Sequence, residues 1–202
     1  VLDGEVEHRD SAGHGGVIGP GDVQWMTAGA GILHAERHSK GFTRTGGPFR
    51  MVQLWVNLPA RHKAAPAGYQ AIPAAAIPAV ELPHGAGTVR VIAGDLRGTR
   101  GPARTFTPVN VWDVRLAAEA DVAFELPEGH TALVAVLAGH VTVNGTEGAG
   151  EAEAVRLGRE GTGVHLHADG AAALLVLGGR PIGGPVVGHG PFVMTSEAEI
   201  RR

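Results

Sequence analysis

The sequence predicts an all-β protein made of two jelly-roll barrels, and three observations point that way. Its 202 residues include 32 Gly and 13 Pro, spaced so that almost no stretch can sustain a helix. Short segments between these breaks alternate apolar and polar residues with a period of two. A faint internal repeat then implies two copies of one design: Val1-Leu2-Asp3-Gly4-Glu5-Val6 resembles Val136-Leu137-Ala138-Gly139-His140-Val141.

Taken in order, the elements support this class. Val1–Val6 reads as the end of a strand, a glycine turn and a new strand. The Gly-rich stretch from Val17 to Val23 follows it, as Val155 to Gly161 follows the second copy. Val52, Leu54, Val56 and Leu58 share one face of a predicted strand, with Met51, Gln53, Trp55 and Asn57 on the other. Residues 60–87 are rich in Ala and Pro and read as a connection, packed because it carries Tyr69, Ile72 and Ile77. Val122, Phe124 and Leu126 alternate, as do Val141 and Val143 before Asn144-Gly145, a type I′ hairpin signal. The apolar runs 132–138 and 171–177 read as strands buried on both faces. Ser196 with Glu199 three residues later begins a helix with a capping box.

Composition bounds the function. Hydrophobic residues make up 44% and charged residues 18%, enough to bury a core. The net charge is -3 and no basic cluster occurs, which argues against direct nucleic-acid binding. Cysteine is absent, excluding disulfides and thiolate metal sites and fitting a reducing, cytoplasmic setting. No apolar run approaches the roughly 20 residues of a membrane helix. The chain opens on Val1 within a strand and closes on a helix start, so both ends read as clipped and the N-terminal barrel is expected to lack its first strands.

His34 and Glu36 are the leading chemical pair. On a strand, residues i and i+2 project from one face, so an imidazole and a carboxylate here point the same way. Such donors suit Fe(II), Mn(II), Ni(II) or Zn(II). On these residues alone, an ordinary surface His–Glu pair is the commoner outcome. His165-Leu166-His167 is a second candidate pair, without a glutamate at suitable spacing downstream and expected at a barrel surface. His8 and His14 lie near the opening hairpin and within approach of the first site, His38 sits on its rim, and Trp25 reads as core packing.

Three longer blocks carry a family resemblance. The segment from Gly16 to Glu36, containing Gly21-Asp22-Val23-Gln24-Trp25-Met26-Thr27-Ala28-Gly29 and Ile32-Leu33-His34-Ala35-Glu36, is similar to the signature block of pirins. Gln53-Leu54-Trp55-Val56-Asn57-Leu58-Pro59, with Tyr69-Gln70 after it, resembles the next pirin block. His189-Gly190-Pro191-Phe192-Val193-Met194 resembles the block that closes the second barrel. The resemblance implies a bicupin, with residues 1–104 as the N-terminal barrel plus connector and residues 105–202 as the C-terminal barrel. It implies one metal in the N-terminal barrel, usually iron(II), with Mn, Ni, Zn or Cu as alternatives, and none in the second barrel, where the family does not use the His165 and His167 positions. His34 and Glu36 match one ligand pair. The other, a His-x-His, is expected upstream of Val1, so metal binding by the 202 residues alone is expected to be weak. Glu36 is the implied catalytic base. The implied activity is a quercetin 2,3-dioxygenase type of flavonol ring cleavage by a monomer. The alternative is a metal-dependent, redox-sensing regulator that binds a transcription factor or enzyme partner.

Overall fold

The computed structural model describes residues 1–201. The chain forms two compact units: Val1–Ala76 with the segment from Ile182 onward, and Ile77–Pro181. The division falls inside the Ala- and Pro-rich connection, where Ile72 and Ile77 are both buried.

The first unit contains β1 (Val6–Asp10), β2 (Gly15–Ile18), β3 (Val23–Thr27), β4 (His34–His38), helix α1 (Lys40–Thr45) and β5 (Gly68–Ile72). β1 is central in an antiparallel sheet of order β2-β1-β4, and β3 pairs separately with β5. The β1–β4 register sets His8 opposite Glu36 and Asp10 opposite His34. Because side chains alternate, all four share one face. In the β3–β5 pair, Met26 lies opposite Tyr69 and Gln24 opposite Ala71, so Gln24 and Tyr69 also share a face. Contacts of Tyr69 with His8, and of Gln24 with Glu36, show that these two faces meet.

The second unit contains β6 (Ala79–Glu81), β7 (Gly87–Ala93), β8 (Asp95–Leu96), β9 (Thr99–Arg100), β10 (Val109–Leu116), β11 (Ala120–Glu125) and β12 (Thr131–Ala138). It continues with β13 (His140–Val143), β14 (Glu147–Gly150), β15 (Ala154–Leu157), β16 (Gly163–Ala168) and β17 (Ala172–Gly179). A six-stranded sheet of order β15-β12-β17-β10-β7-β6 and a four-stranded sheet of order β11-β16-β13-β14 enclose one apolar core. Val134, Leu166, Leu174 and Val176 are fully buried there, and Trp112 packs on Phe124 with ring centroids 5.8 Å apart. β7 and β10 lie on either side of the 104/105 division yet pair in one sheet. β18 (Val187–His189) and β19 (Phe192–Met194) form a hairpin in the first unit, followed by α2 (Glu197–Ile200). Both bonds of the expected capping box at Ser196 and Glu199 are present.

The two-copy reading has a backbone counterpart. Gly4 and Gly139, at equivalent places in the repeat, have φ of 82° and 79°, a region costly for any residue with a Cβ. Asn144 and Gly145 both have positive φ, as a type I′ turn demands. Two expectations need correction. Residues 51–59 carry no strand, and Val52, Leu54 and Val56 remain exposed. Alternation marks a strand's faces, but a strand exists only where a neighbour supplies its ladder. The run 172–176 is buried on both faces, whereas β12 alternates, with Leu133 and Ala135 only half-buried.

Candidate metal centre

The site is assembled on β1 and β4. His8 is fully buried; its Nδ1 lies 3.7 Å from Glu36 Oε1, and His34 Nδ1 lies 3.8 Å from the same oxygen. One nitrogen from each histidine and one carboxylate oxygen lie within 4.8 Å of one another. The His34 and Glu36 side chains keep 34% and 24% of their exposure, so one side of the cluster is open to approach.

Asp10 decides which nitrogen of His8 is available. Its carboxyl is pushed up by burial, but amide donation from His14 and Ala12 and hydrogen bonds to the His14 and His8 rings outweigh this and hold it at about 2. Oδ1 accepts from the Ala12 and His14 amides at 3.0 and 2.9 Å, while Oδ2 faces His14 Nδ1 at 3.0 Å and His8 Nε2 at 3.4 Å. An ionised carboxylate only accepts, so the His8 proton belongs on Nε2. That leaves Nδ1 a bare lone pair, buried and without a hydrogen-bond partner. A buried acceptor of this kind costs roughly 1–3 kcal/mol unless something satisfies it. A cation between His8, Glu36 and His34 would do so, and the donor set fits a divalent metal.

The rest of the wall comes from β3 and β5. Gln24 Nε2 donates to Glu36 Oε1, and the Tyr69 hydroxyl donates to Gln24 Oε1 at 3.2 Å. The Tyr69 ring stacks on His8 at 4.7 Å and 13°. Burial, then the charges of Glu36 and Asp10, push the Tyr69 phenol up, so it keeps its proton as a donor.

Comparison with known proteins follows the two halves of the chain. Residues 1–56 match the pirin family model, and residues 111–202 match the model of the pirin C-terminal cupin domain. A Pseudomonas aeruginosa protein provisionally named a quercetin 2,3-dioxygenase is 52% identical over 200 residues, spanning 99% of this chain and 70% of that protein. This chain belongs to the pirin family. A pirin-like protein of Caulobacter vibrioides is 43% identical over 96% of this chain and 68% of its own length. A crystal structure of quercetin 2,3-dioxygenase from Acinetobacter baumannii superposes with a TM-score of 0.96 at 50% identity, covering 99% of this chain and 69% of that one. The all-β bicupin architecture is therefore that of the pirins.

Within this pirin fold the candidate residues separate. His34 and Glu36 come together, and His8, which the sequence places only within approach of the site, joins them as a third donor. The signal for it was present: His8 and Asp10 have the same i, i+2 spacing as His34 and Glu36. Only the strand register shows that the two pairs face each other. His14 reaches Asp10, whereas His38 packs on the Phe42 and Phe49 rings. His165 and His167 lie on the outer face of β16, their side chains 44% and 38% exposed, paired with Asp121 and Asp169. Among the described residues no helix is long and apolar enough to cross a membrane.

Proposed function

We propose that this chain is a metal-dependent dioxygenase that opens the central ring of flavonols, with His8, His34 and Glu36 among the residues that hold Fe(II). The observation that carries the reading is the convergence of two imidazoles and one carboxylate on a partly open wall. Two histidines and one carboxylate with open positions are the donor set of non-haem iron oxygenases. The names of the Pseudomonas and Acinetobacter relatives support the same reaction class.

The chain's own residues prepare the site for this chemistry. A bound metal would supply Lewis acidity toward an acidic substrate hydroxyl and the chemistry of O2. Asp10 keeps the His8 proton on Nε2, so Nδ1 faces the centre in a liganding state. Glu36 accepts the proton of the flavonol 3-hydroxyl, a transfer that needs hydrogen-bond reach and no more. The buried His8 and the Tyr69 ring over it keep water from one side of the site. Consumption of O2 then ends in ring cleavage and release of carbon monoxide.

The test is to load the protein anaerobically with Fe(II), admit O2 with quercetin, and follow flavonol absorbance and carbon monoxide. Turnover is expected of the full-length protein, with Glu36→Gln slower by about 100-fold or more. A protein that holds one equivalent of iron yet leaves quercetin and related flavonols intact would refute the reading.

A further inference from the structure

We propose that Tyr69, acting through Gln24, is a positioning residue that fixes the liganding oxygen of Glu36. The proposal rests on the metal-site reading above and deepens it. β4 has no buried residue along its length, so packing does little to hold the Glu36 side chain. What holds it is polar. Gln24 Nε2 donates to Oε1, the same oxygen that faces both histidine nitrogens. A carboxylate oxygen has more than one lone-pair direction, so it can accept the amide and still point at a cation.

The chain of bonds has one sense. Because Glu36 only accepts, the Gln24 amide must turn its nitrogen toward it. Gln24 Oε1 then faces away and accepts from the Tyr69 hydroxyl at 3.2 Å. Tyr69 is anchored in turn by its stack on His8, with ring centroids 4.7 Å apart. One phenol therefore touches His8 through its ring and Glu36 through a single amide, tying a donor on β1 to a donor on β4. The β3–β5 register supplies both residues from one face. An amide is required at position 24, since a carboxylate there would repel Glu36 and an apolar side chain would release it.

The experiment titrates the protein with Co(II) alone in competition with a chelator and records the visible Co(II) spectrum. The variants are Gln24→Met, Tyr69→Phe and the double substitution. Gln24→Met is expected to weaken Co(II) about 10- to 100-fold, the usual effect of losing a partner of a metal ligand, and to change the absorption bands. Tyr69→Phe keeps the ring on His8, so folding is retained, and should weaken Co(II) about 10-fold with a spectral change in the same direction. The double variant should lose no more than Gln24→Met, because the hydroxyl acts only through the amide. Parent affinity and spectrum in Tyr69→Phe, or additive losses in the double variant, would overturn the proposal. If Gln24→Met does not fold, Tyr69→Phe decides alone. Glu36→Ala and His34→Ala separate the two levels. If they bind Co(II) like the parent, or the parent binds none, the metal-site reading fails and this proposal falls with it. If they abolish binding while Tyr69→Phe changes nothing, only the positioning role is lost.

Discussion

Replacing Asp10 by Asn should convert His8 from a ligand into a donor pointing at the wrong place. The substitution keeps Oδ1, and with it the bonds to the Ala12 and His14 amides that shape the β1–β2 turn. Volume is also unchanged, so the hairpin should persist. At the other position an oxygen that only accepts becomes an NH2 that only donates. His8 Nε2, 3.4 Å away, must then accept, which moves the ring proton to Nδ1, the atom facing Glu36 and His34. A protonated Nδ1 cannot bind metal. Losing a carboxylate behind a liganding histidine costs 10- to 100-fold in metal affinity. The long His8–Asp10 contact argues for the lower end, about 10-fold. The assay is Fe(II) or Co(II) affinity by chelator competition, with NMR of the His8 ring nitrogens to read the tautomer. His14→Ala is the control, since it also removes a bond to Oδ2 but touches no ligand. Undiminished affinity in Asp10→Asn, or a loss with the His8 proton still on Nε2, would refute the reasoning.

Three further outcomes follow from the same geometry. In the full-length protein His34→Ala should abolish stoichiometric metal while His167→Ala leaves it intact, measured by metal analysis of the purified proteins. In the second unit Asp113 is 5% exposed, with Arg90 Nη1 3.1 Å from Oδ2 and Arg115 Nε 3.0 Å from Oδ1. Asp113→Ala should cost about 2 kcal/mol, read from the denaturant midpoint, because it removes a buried carboxylate that faces two arginines. The hydrogen bond from His165 is the leading cause that lowers the Asp121 pKa below its usual 3.8. A lowered folded pKa means the unfolded state binds more protons in that range. The Asp121 contribution is therefore full above about pH 4 and fades as pH falls through the folded value. Thermal melts of the parent and Asp121→Asn across that range should converge at the acid end. Parallel curves would contradict the assignment.

By itself the sequence determined the class of fold and two of the three donors that cluster at the candidate site. Gly and Pro spacing removed helices, period-two alternation supplied strands, and the repeat gave equivalent glycine turns at Gly4 and Gly139. These are local properties: a turn residue with positive φ or an alternating face is decided by a few neighbours along the chain. His34 and Glu36 were legible for the same reason, since i and i+2 on one strand share a face whatever lies beside it. What only the tertiary structure decided is pairing. The alternation at 52–58 could not show that no strand lies beside it in the described residues. The spacing of His8 and Asp10 could not show that they sit opposite Glu36 and His34, because register is a long-range property set by the packing of both strands. Nor could Gln24 and Tyr69, 45 residues apart, announce the bond that links them. That contact exists because β3 and β5 pair with the face that carries Gln24 and Tyr69 turned toward the β1–β4 face, a match set by the pairing of four strands and not by any segment within it.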